Sequence, residues 1–152
     1  VFGILAKLTR TIFISRSSSS ALKQLQLIKH LLFKSERLIL FPEGTSSDGR
    51  KVLPFKPSLF EAPIQADAIV QPLTIRYEKI NVMPVDRRSK PFLAWYGDMD
   101  LLPHLWQSLS LGTITIKLVF HEPIKAVVFR NRKKLANHCQ KIIAFESEKP
   151  YR

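Results

Sequence analysis

Residues 38–49 carry the sequence Leu-Ile-Leu-Phe-Pro-Glu-Gly-Thr-Ser-Ser-Asp-Gly, and the interpretation of the chain starts from this stretch. Four apolar residues predict a short buried strand over residues 38–41, which Pro42 and Gly44 then end. Five of the six positions at residues 43–48 carry polar side chains. Ligands of α/β sheets bind beyond the carboxyl ends of strands, and backbone amides in a glycine-containing turn can converge on an anion. Residues 43–48 are therefore either a ligand site or an ordinary surface turn.

Three short blocks resemble blocks of the glycerophospholipid acyltransferases, the family of 1-acylglycerol-3-phosphate acyltransferase. The first is Phe-Pro-Glu-Gly-Thr at residues 41–45. Upstream, residues 11–16, Thr-Ile-Phe-Ile-Ser-Arg, resemble the family's block that ends in Arg. Downstream, residues 70–73, Val-Gln-Pro-Leu, resemble its apolar block with a fixed proline. The blocks occur in the family's order and at its spacing, and residues 92–106 resemble bacterial members more loosely.

The composition favours a basic domain with an anionic partner. The chain has 152 residues, of which 45% are hydrophobic, enough for one domain with a core. The formal net charge is +12 and the pI is near 10.1. Such an excess of Lys and Arg attracts nucleic acid, acidic lipid surfaces or phosphorylated substrates. The single cysteine, Cys139, excludes an internal disulfide and fits a reducing compartment.

The sequence shows neither a membrane span nor a targeting segment. No stretch approaches the roughly 18 consecutive apolar residues of a span, and no signal peptide is recognisable. The chain begins with Val1 in the middle of an apolar pattern, so we expect a fragment or a trimmed product. The resemblance implies a location at the cytoplasmic face of the cell membrane, either peripheral or anchored by a missing N-terminal segment.

Strands alternate with helices in the first half of the chain, which predicts the α/β class. Strands are predicted over residues 11–14, 38–41, 69–77, 92–96 and 113–120. Helices are predicted over residues 22–32, over 58–65 with Pro63 cutting the helix short, over 101–109, and after the capping residue Asn131. We expect a single domain over residues 1–152, with motifs in about residues 1–80. Its mixed central sheet would be flanked by helices, similar to the glycerol-3-phosphate acyltransferase fold that the resemblance implies.

The resemblance implies that catalysis needs a His and an Asp five positions later, with the His as general base on the acceptor hydroxyl. The residues five positions after His30, His104, His121 and His138 are Ser35, Leu109, Ala126 and Ile143. The dyad is therefore absent from this sequence. We expect an acyltransferase domain that lacks its N-terminal catalytic block and is inactive alone.

The residues that match the family's motifs are binding and structural residues. The resemblance implies that Arg16 contacts the phosphate or head group of the acceptor. It also implies that Glu43, Gly44 and Thr45 shape the acceptor pocket. The resemblance further implies that Phe41, Pro42 and Pro72 are structural residues of the motifs.

Ser46 departs from the family pattern. Members that form phosphatidic acid usually have Arg after the Thr of this block, where the chain has Ser46. A different acceptor, such as a lyso-ornithine lipid, is therefore expected beside lysophosphatidic acid. Ser46 is a candidate binding residue, and Lys51 or Lys56 is a candidate to replace the missing charge.

Two functions from different classes are compatible with the sequence. The resemblance implies an enzyme of membrane lipid synthesis that moves an acyl chain from acyl-carrier protein or acyl-CoA to a lyso-lipid hydroxyl. It would act at an anionic membrane surface without a cofactor, metal or nucleic acid. The alternative is a noncatalytic basic module that binds nucleic acid or anionic membrane through residues 87–88 and 130–134, with Trp95 and Tyr96 as stacking residues. The three ordered blocks favour the enzyme.

Overall fold

The computed structural model describes residues 18–149. The helices are α1 (Ser18–Phe33), α2 (Glu61–Gln65), α3 (Lys90–Leu93), α4 (Leu101–Ser110) and α5 (Arg132–Ser147), with 3-10 helices at Pro57–Phe60 and Ala126–Phe129. The strands are β1 (Ile69–Val70), β2 (Leu73–Ile80), β3 (Met83–Pro84), β4 (Ile114–Phe120) and β5 (Ile124–Lys125). The predicted α/β class is confirmed. The predicted strand over residues 11–14 and the candidate residue Arg16 lie outside the described residues.

The strands form two small sheets, and every strand pair within residues 18–149 is antiparallel. One sheet has the order β3-β2-β4, and the other pairs β1 with β5. Pro72 separates β1 from β2, because a proline has no N–H to give to a sheet. Its carbonyl still accepts a hydrogen bond from the His121 N–H at 3.0 Å. Pro72 is buried, and its structural role in the family motif stays a prediction.

The core lies between α5 and the segment that contains the first 3-10 helix. Its buried apolar residues are Phe55, Leu59, Phe60, Ala126, Leu135, Ala136 and Cys139. The rings of Phe55 and Phe60 stack with centroids 6.3 Å apart. Burial raises the pKa of the Cys139 thiol to about 11, so this thiol stays protonated at neutral pH.

The two helices predicted after residue 100 are confirmed. Helix α4 covers residues 101–110, one residue longer than expected. Helix α5 begins after Asn131, whose Oδ1 accepts hydrogen bonds from the Lys133 N–H at 2.8 Å and the Lys134 N–H at 3.3 Å. These bonds satisfy two of the amides that a helix leaves free at its start.

Two predicted strands are wrong. Residues 38–41 form no strand, because no neighbouring segment of residues 18–149 pairs with them, and Ile39 and Phe41 are exposed. The segment 92–96 begins inside α3, where Pro91 occupies the first helical turn that prolines favour. The chain then forms a loop closed by a hydrogen bond from the Trp95 Nε1–H to the Met99 carbonyl at 2.6 Å.

Candidate functional site

The candidate site is a tight turn over residues 41–45. The Gly44 N–H donates to the Phe41 carbonyl at 3.2 Å, and Gly44 has a φ of +64°, which a glycine adopts without strain. The Lys56 N–H donates to the Pro42 carbonyl at 2.8 Å, which fastens the turn to the chain that enters the core. Thr45 is exposed on this turn. The predicted binding residues at 43–45 therefore share one anchored turn.

Lys56 brings a cation to this turn from twelve positions away. Its Nζ donates to the Gly44 carbonyl at 3.5 Å. A Cβ added at Gly44 would lie 2.5 Å from the Lys56 Nζ and 2.9 Å from its Cε. The glycine is favoured at this position by its backbone conformation, and a side chain there would displace the flexible end of Lys56. Of the two lysines that the sequence offered as replacement charges, the structure places Lys56 on the turn.

Glu43 supplies a carboxyl group that is partly shielded from water. Partial burial raises its pKa above the ordinary value of 4.5, and the hydrogen bond from the Leu53 N–H opposes this shift without cancelling it. The turn therefore combines a carboxylate that is costly to ionise with an ammonium group. Ser46, which follows Thr45, is exposed and adds no charge.

Residues 48–50, which follow the turn, form hydrogen bonds among themselves and with the segment at Arg87. The Arg50 N–H donates to Asp48 Oδ1 at 3.0 Å, and the Arg50 Nε lies 3.6 Å from Asp48 Oδ2. The Arg50 Nε–H also donates to the Arg87 carbonyl at 3.3 Å. Asp48 therefore has a structural role in the loop. The loop is thereby joined to the segment that leads into α3.

The four histidines of the chain lie in different parts of the fold, with His30 exposed in α1. His104 is buried in α4, and the His121 Nε2 lies 2.8 Å from the Thr74 Oγ1. The ring of His138 contacts that of Phe129, with centroids 5.0 Å apart. Within residues 18–149 no group of three His, Cys, Asp or Glu side chains is arranged to hold a metal ion.

Comparison with known proteins identifies the family. The model of the acyltransferase family matches residues 1–76, the half of the chain that contains the turn. The chain is 38% identical over 144 residues to the lyso-ornithine lipid O-acyltransferase of Brucella abortus, covering 90% of this chain and 54% of the relative. It is 31% identical over 121 residues to the 1-acyl-sn-glycerol-3-phosphate acyltransferase of Neisseria gonorrhoeae, covering 79% and 45%. The chain belongs to the acyltransferase family, as its three sequence blocks predicted.

The chain spans about half the length of the curated relatives it matches. A further relative, the lyso-ornithine lipid O-acyltransferase of Rhizobium meliloti, is 37% identical over 144 residues, 90% of this chain and 49% of the relative. No solved structure matches the chain. In the part of the chain that the structure describes, no helix is both long and apolar enough to cross a bilayer.

Proposed function

We propose that the protein transfers an acyl chain to the hydroxyl of a lyso-lipid, and that this chain provides the acceptor-binding side of the site. The observation that carries the proposal is the turn at residues 43–45 with Lys56 seated on it, within the region that the family model matches. The acyl donor would be acyl-CoA or acyl-carrier protein, with no other cofactor. Arg16, which ends the first family block, would be a further contact to the acceptor.

The acceptor that this turn favours has a zwitterionic head group. An ornithine head group offers a carboxylate for the ammonium of Lys56 and an ammonium for the carboxylate of Glu43. A phosphate monoester would favour a second cation, and at Ser46 the chain has none. The names of the relatives from Brucella abortus and Rhizobium meliloti also support a lyso-ornithine lipid as acceptor.

The motif residues of this chain do not include a general base for the reaction. None of its histidines is followed by an Asp five positions later, the arrangement that the family resemblance implies. We therefore expect the chain alone to bind an acceptor without turning it over. The enzyme would work at the cytoplasmic face of the membrane, where its acceptor is a bilayer component.

The test is a titration of the chain with short-chain lyso-ornithine lipid, kept monomeric, beside lysophosphatidic acid. Lys56→Ala should weaken binding of the lyso-ornithine lipid roughly ten- to a hundredfold, because a charge-assisted hydrogen bond is worth about 1.5–3 kcal/mol. Lys51→Ala is the matched control, and its affinity should stay at the wild-type value. Ser46→Arg should shift preference toward lysophosphatidic acid.

Equal affinity of the Lys56 and Lys51 variants would contradict the proposal, since the turn would then not contact the head group. A chain that binds neither lyso-lipid, while its far-ultraviolet circular dichroism shows it to be folded, would contradict it as well. Circular dichroism of both variants separates lost binding from lost folding.

A further inference from the structure

Helix α4 exposes four large apolar side chains and buries His104, while its polar residues Gln107 and Ser110 are also exposed. Its exposed apolar residues are Leu102, Leu105, Trp106 and Leu109, a spacing that places them on one helical face. Trp106 is 77% exposed, and Leu102 and Leu109 are each 68% exposed. On another face His104 is buried, and neither its Nε2 nor the Ser108 Oγ has a hydrogen-bond partner within the described residues. A helix at the surface of a soluble domain normally has the reverse arrangement.

The turn between β2 and β3 is hydrogen-bonded to the chain just beyond the C-terminal end of α4 and carries two further exposed apolar residues. The Asn81 side chain donates to the Leu111 carbonyl at 3.0 Å and accepts from the Thr113 N–H at 2.9 Å. These bonds fix the end of the helix to the β2–β3 turn, where Val82 and Met83 are exposed. The exposed apolar residues of α4 together with Val82 and Met83 are called the α4 patch.

We infer that the α4 patch is the surface by which the protein docks on an anionic lipid bilayer. Helix α4 has 10 residues, about 15 Å of helix, so it can lie in the membrane interface but cannot cross a hydrocarbon core of about 30 Å. An exposed tryptophan beside leucines is the composition that interfacial helices use. The inference rests on the proposed function only in taking lipid as the partner.

The positive charge of the chain favours an anionic bilayer over a neutral one as the partner of the α4 patch. Arg87 and Arg88 are exposed in the segment that leads from β3, which contains Met83 of the α4 patch, into α3. Asp98 and Asp100 are exposed directly before α4, and the whole chain has a net charge of +12. Basic residues near an interfacial helix are attracted to the negative potential of acidic lipids. A protein partner for the α4 patch would need acidic groups to match this charge, whereas an acidic bilayer supplies them over its whole surface.

The segment that leads into α3 also contacts the loop that follows the turn at residues 41–45. The Arg50 side chain donates to the Arg87 carbonyl, and a Cβ added at Gly49 would lie 3.9 Å from the Cβ atoms of Lys90 and Ala94. The loop that carries Glu43 therefore packs against the chain that precedes α4.

The test is co-sedimentation of the 152-residue chain with phosphatidylcholine vesicles, with and without phosphatidylglycerol. The double change Leu102→Ser and Leu109→Ser should lower the partition onto anionic vesicles about tenfold or more, because two large apolar side chains then lose their burial in lipid. Leu22→Ser is the matched control, since Leu22 is 69% exposed on α1, and it should bind as the wild type does. In a Trp95→Phe background, vesicles should shift the emission of Trp106 to the blue.

Salt and self-association complete the test. Raising the salt to 1 M shortens the Debye length to about 3 Å and should weaken binding to the anionic vesicles. Unchanged binding of the double variant, or an unchanged emission of Trp106, would overturn the inference. So would a dimer, measured by light scattering without lipid, that the double variant dissociates. Vesicle binding without binding of monomeric lyso-lipid would contradict the proposed function while leaving the docking surface intact.

Discussion

The two faces of the β3-β2-β4 sheet differ in what covers them. On one face Thr74 and Arg76 point toward α5, and Thr74 is 1% exposed. Arg76 donates to Glu146 Oε1 at 3.1 Å and to the Lys149 carbonyl at 3.2 Å. This face therefore carries polar side chains that hydrogen bonds satisfy beneath a helix.

The opposite face of the same strands is apolar and open. Register pairs Leu73 with Phe120, Ile75 with Leu118 and Tyr77 with Ile116. Five of these six side chains are exposed: Ile75, Tyr77, Ile116, Leu118 and Phe120. The described part of the chain places no second layer on them.

Alternation along a strand therefore predicts which residues share a face, but it does not predict which face another layer covers. Apolar rows normally pack on the core, and a sheet is stable when another layer covers its apolar face. Here the covered row is the polar one. The stability of this chain should therefore depend on the α5 side of the sheet and very little on the apolar side.

The largest expected effect compares two leucines, one from each side. Leu135→Ala should lower the free energy of unfolding by about 2–5 kcal/mol, because Leu135 is fully buried in the core and its removal leaves a cavity. Leu118→Ala should cost about 1 kcal/mol or less, since Leu118 is 52% exposed. Urea unfolding of both variants measures the difference. Similar losses would mean that the apolar face is also part of a packed core.

A smaller effect concerns the ion pair beneath α5. The pKa of Glu146 is held below its ordinary value of 4.5, mainly by the hydrogen bond from Lys149 and also by Arg76. Its contribution to stability is present above pH 4.5 and is lost as the pH falls below that value, through the lower pKa of the folded state. Glu146→Gln should lower the melting temperature at neutral pH and reduce its fall on acidification.

Glu148→Gln is the control for this prediction, because Glu148 is exposed two positions further along the chain. Its melting temperature should follow the wild type at each pH. If the melting temperatures of the wild type and of Glu146→Gln changed with pH in parallel, the ion pair would not contribute to the stability of the fold.

The smallest expected effect on stability concerns Glu43 in the turn at residues 41–45, and its dependence on pH has the opposite sign to that of Glu146. Burial raises the pKa of Glu43, so the folded protein binds the proton of this carboxyl more tightly than the unfolded chain does. The resulting contribution to folding stability is fully present below pH 4.5 and is lost as the pH rises through the raised pKa. Glu43→Gln should therefore be slightly more stable than the wild type at neutral pH and equal to it in acid. Chemical unfolding at several pH values measures this, and a destabilised variant at neutral pH would show that ionised Glu43 has a favourable partner.

Local signals were sufficient for much of the fold. The cap at Asn131, the helical stripe of α5 and the alternation of β4 each depend on residues close in sequence, so they could be predicted. The strand expected at residues 38–41 could not be judged in this way, because a strand needs a partner and the described residues provide none. The hydrogen bond between Lys56 and Gly44 joins residues twelve positions apart. The sequence alone could therefore only give Lys51 and Lys56 as alternatives for the positive charge near this turn.

The buried thiol of Cys139 has a practical consequence for spectroscopy. With a pKa of about 11, about one thiol in ten thousand is the reactive thiolate at neutral pH, and α5 shields that atom as well. A cysteine introduced on an exposed face could therefore be modified selectively by a maleimide in the native protein. Fluorescent or spin labels could then be attached one at a time without first replacing the natural cysteine.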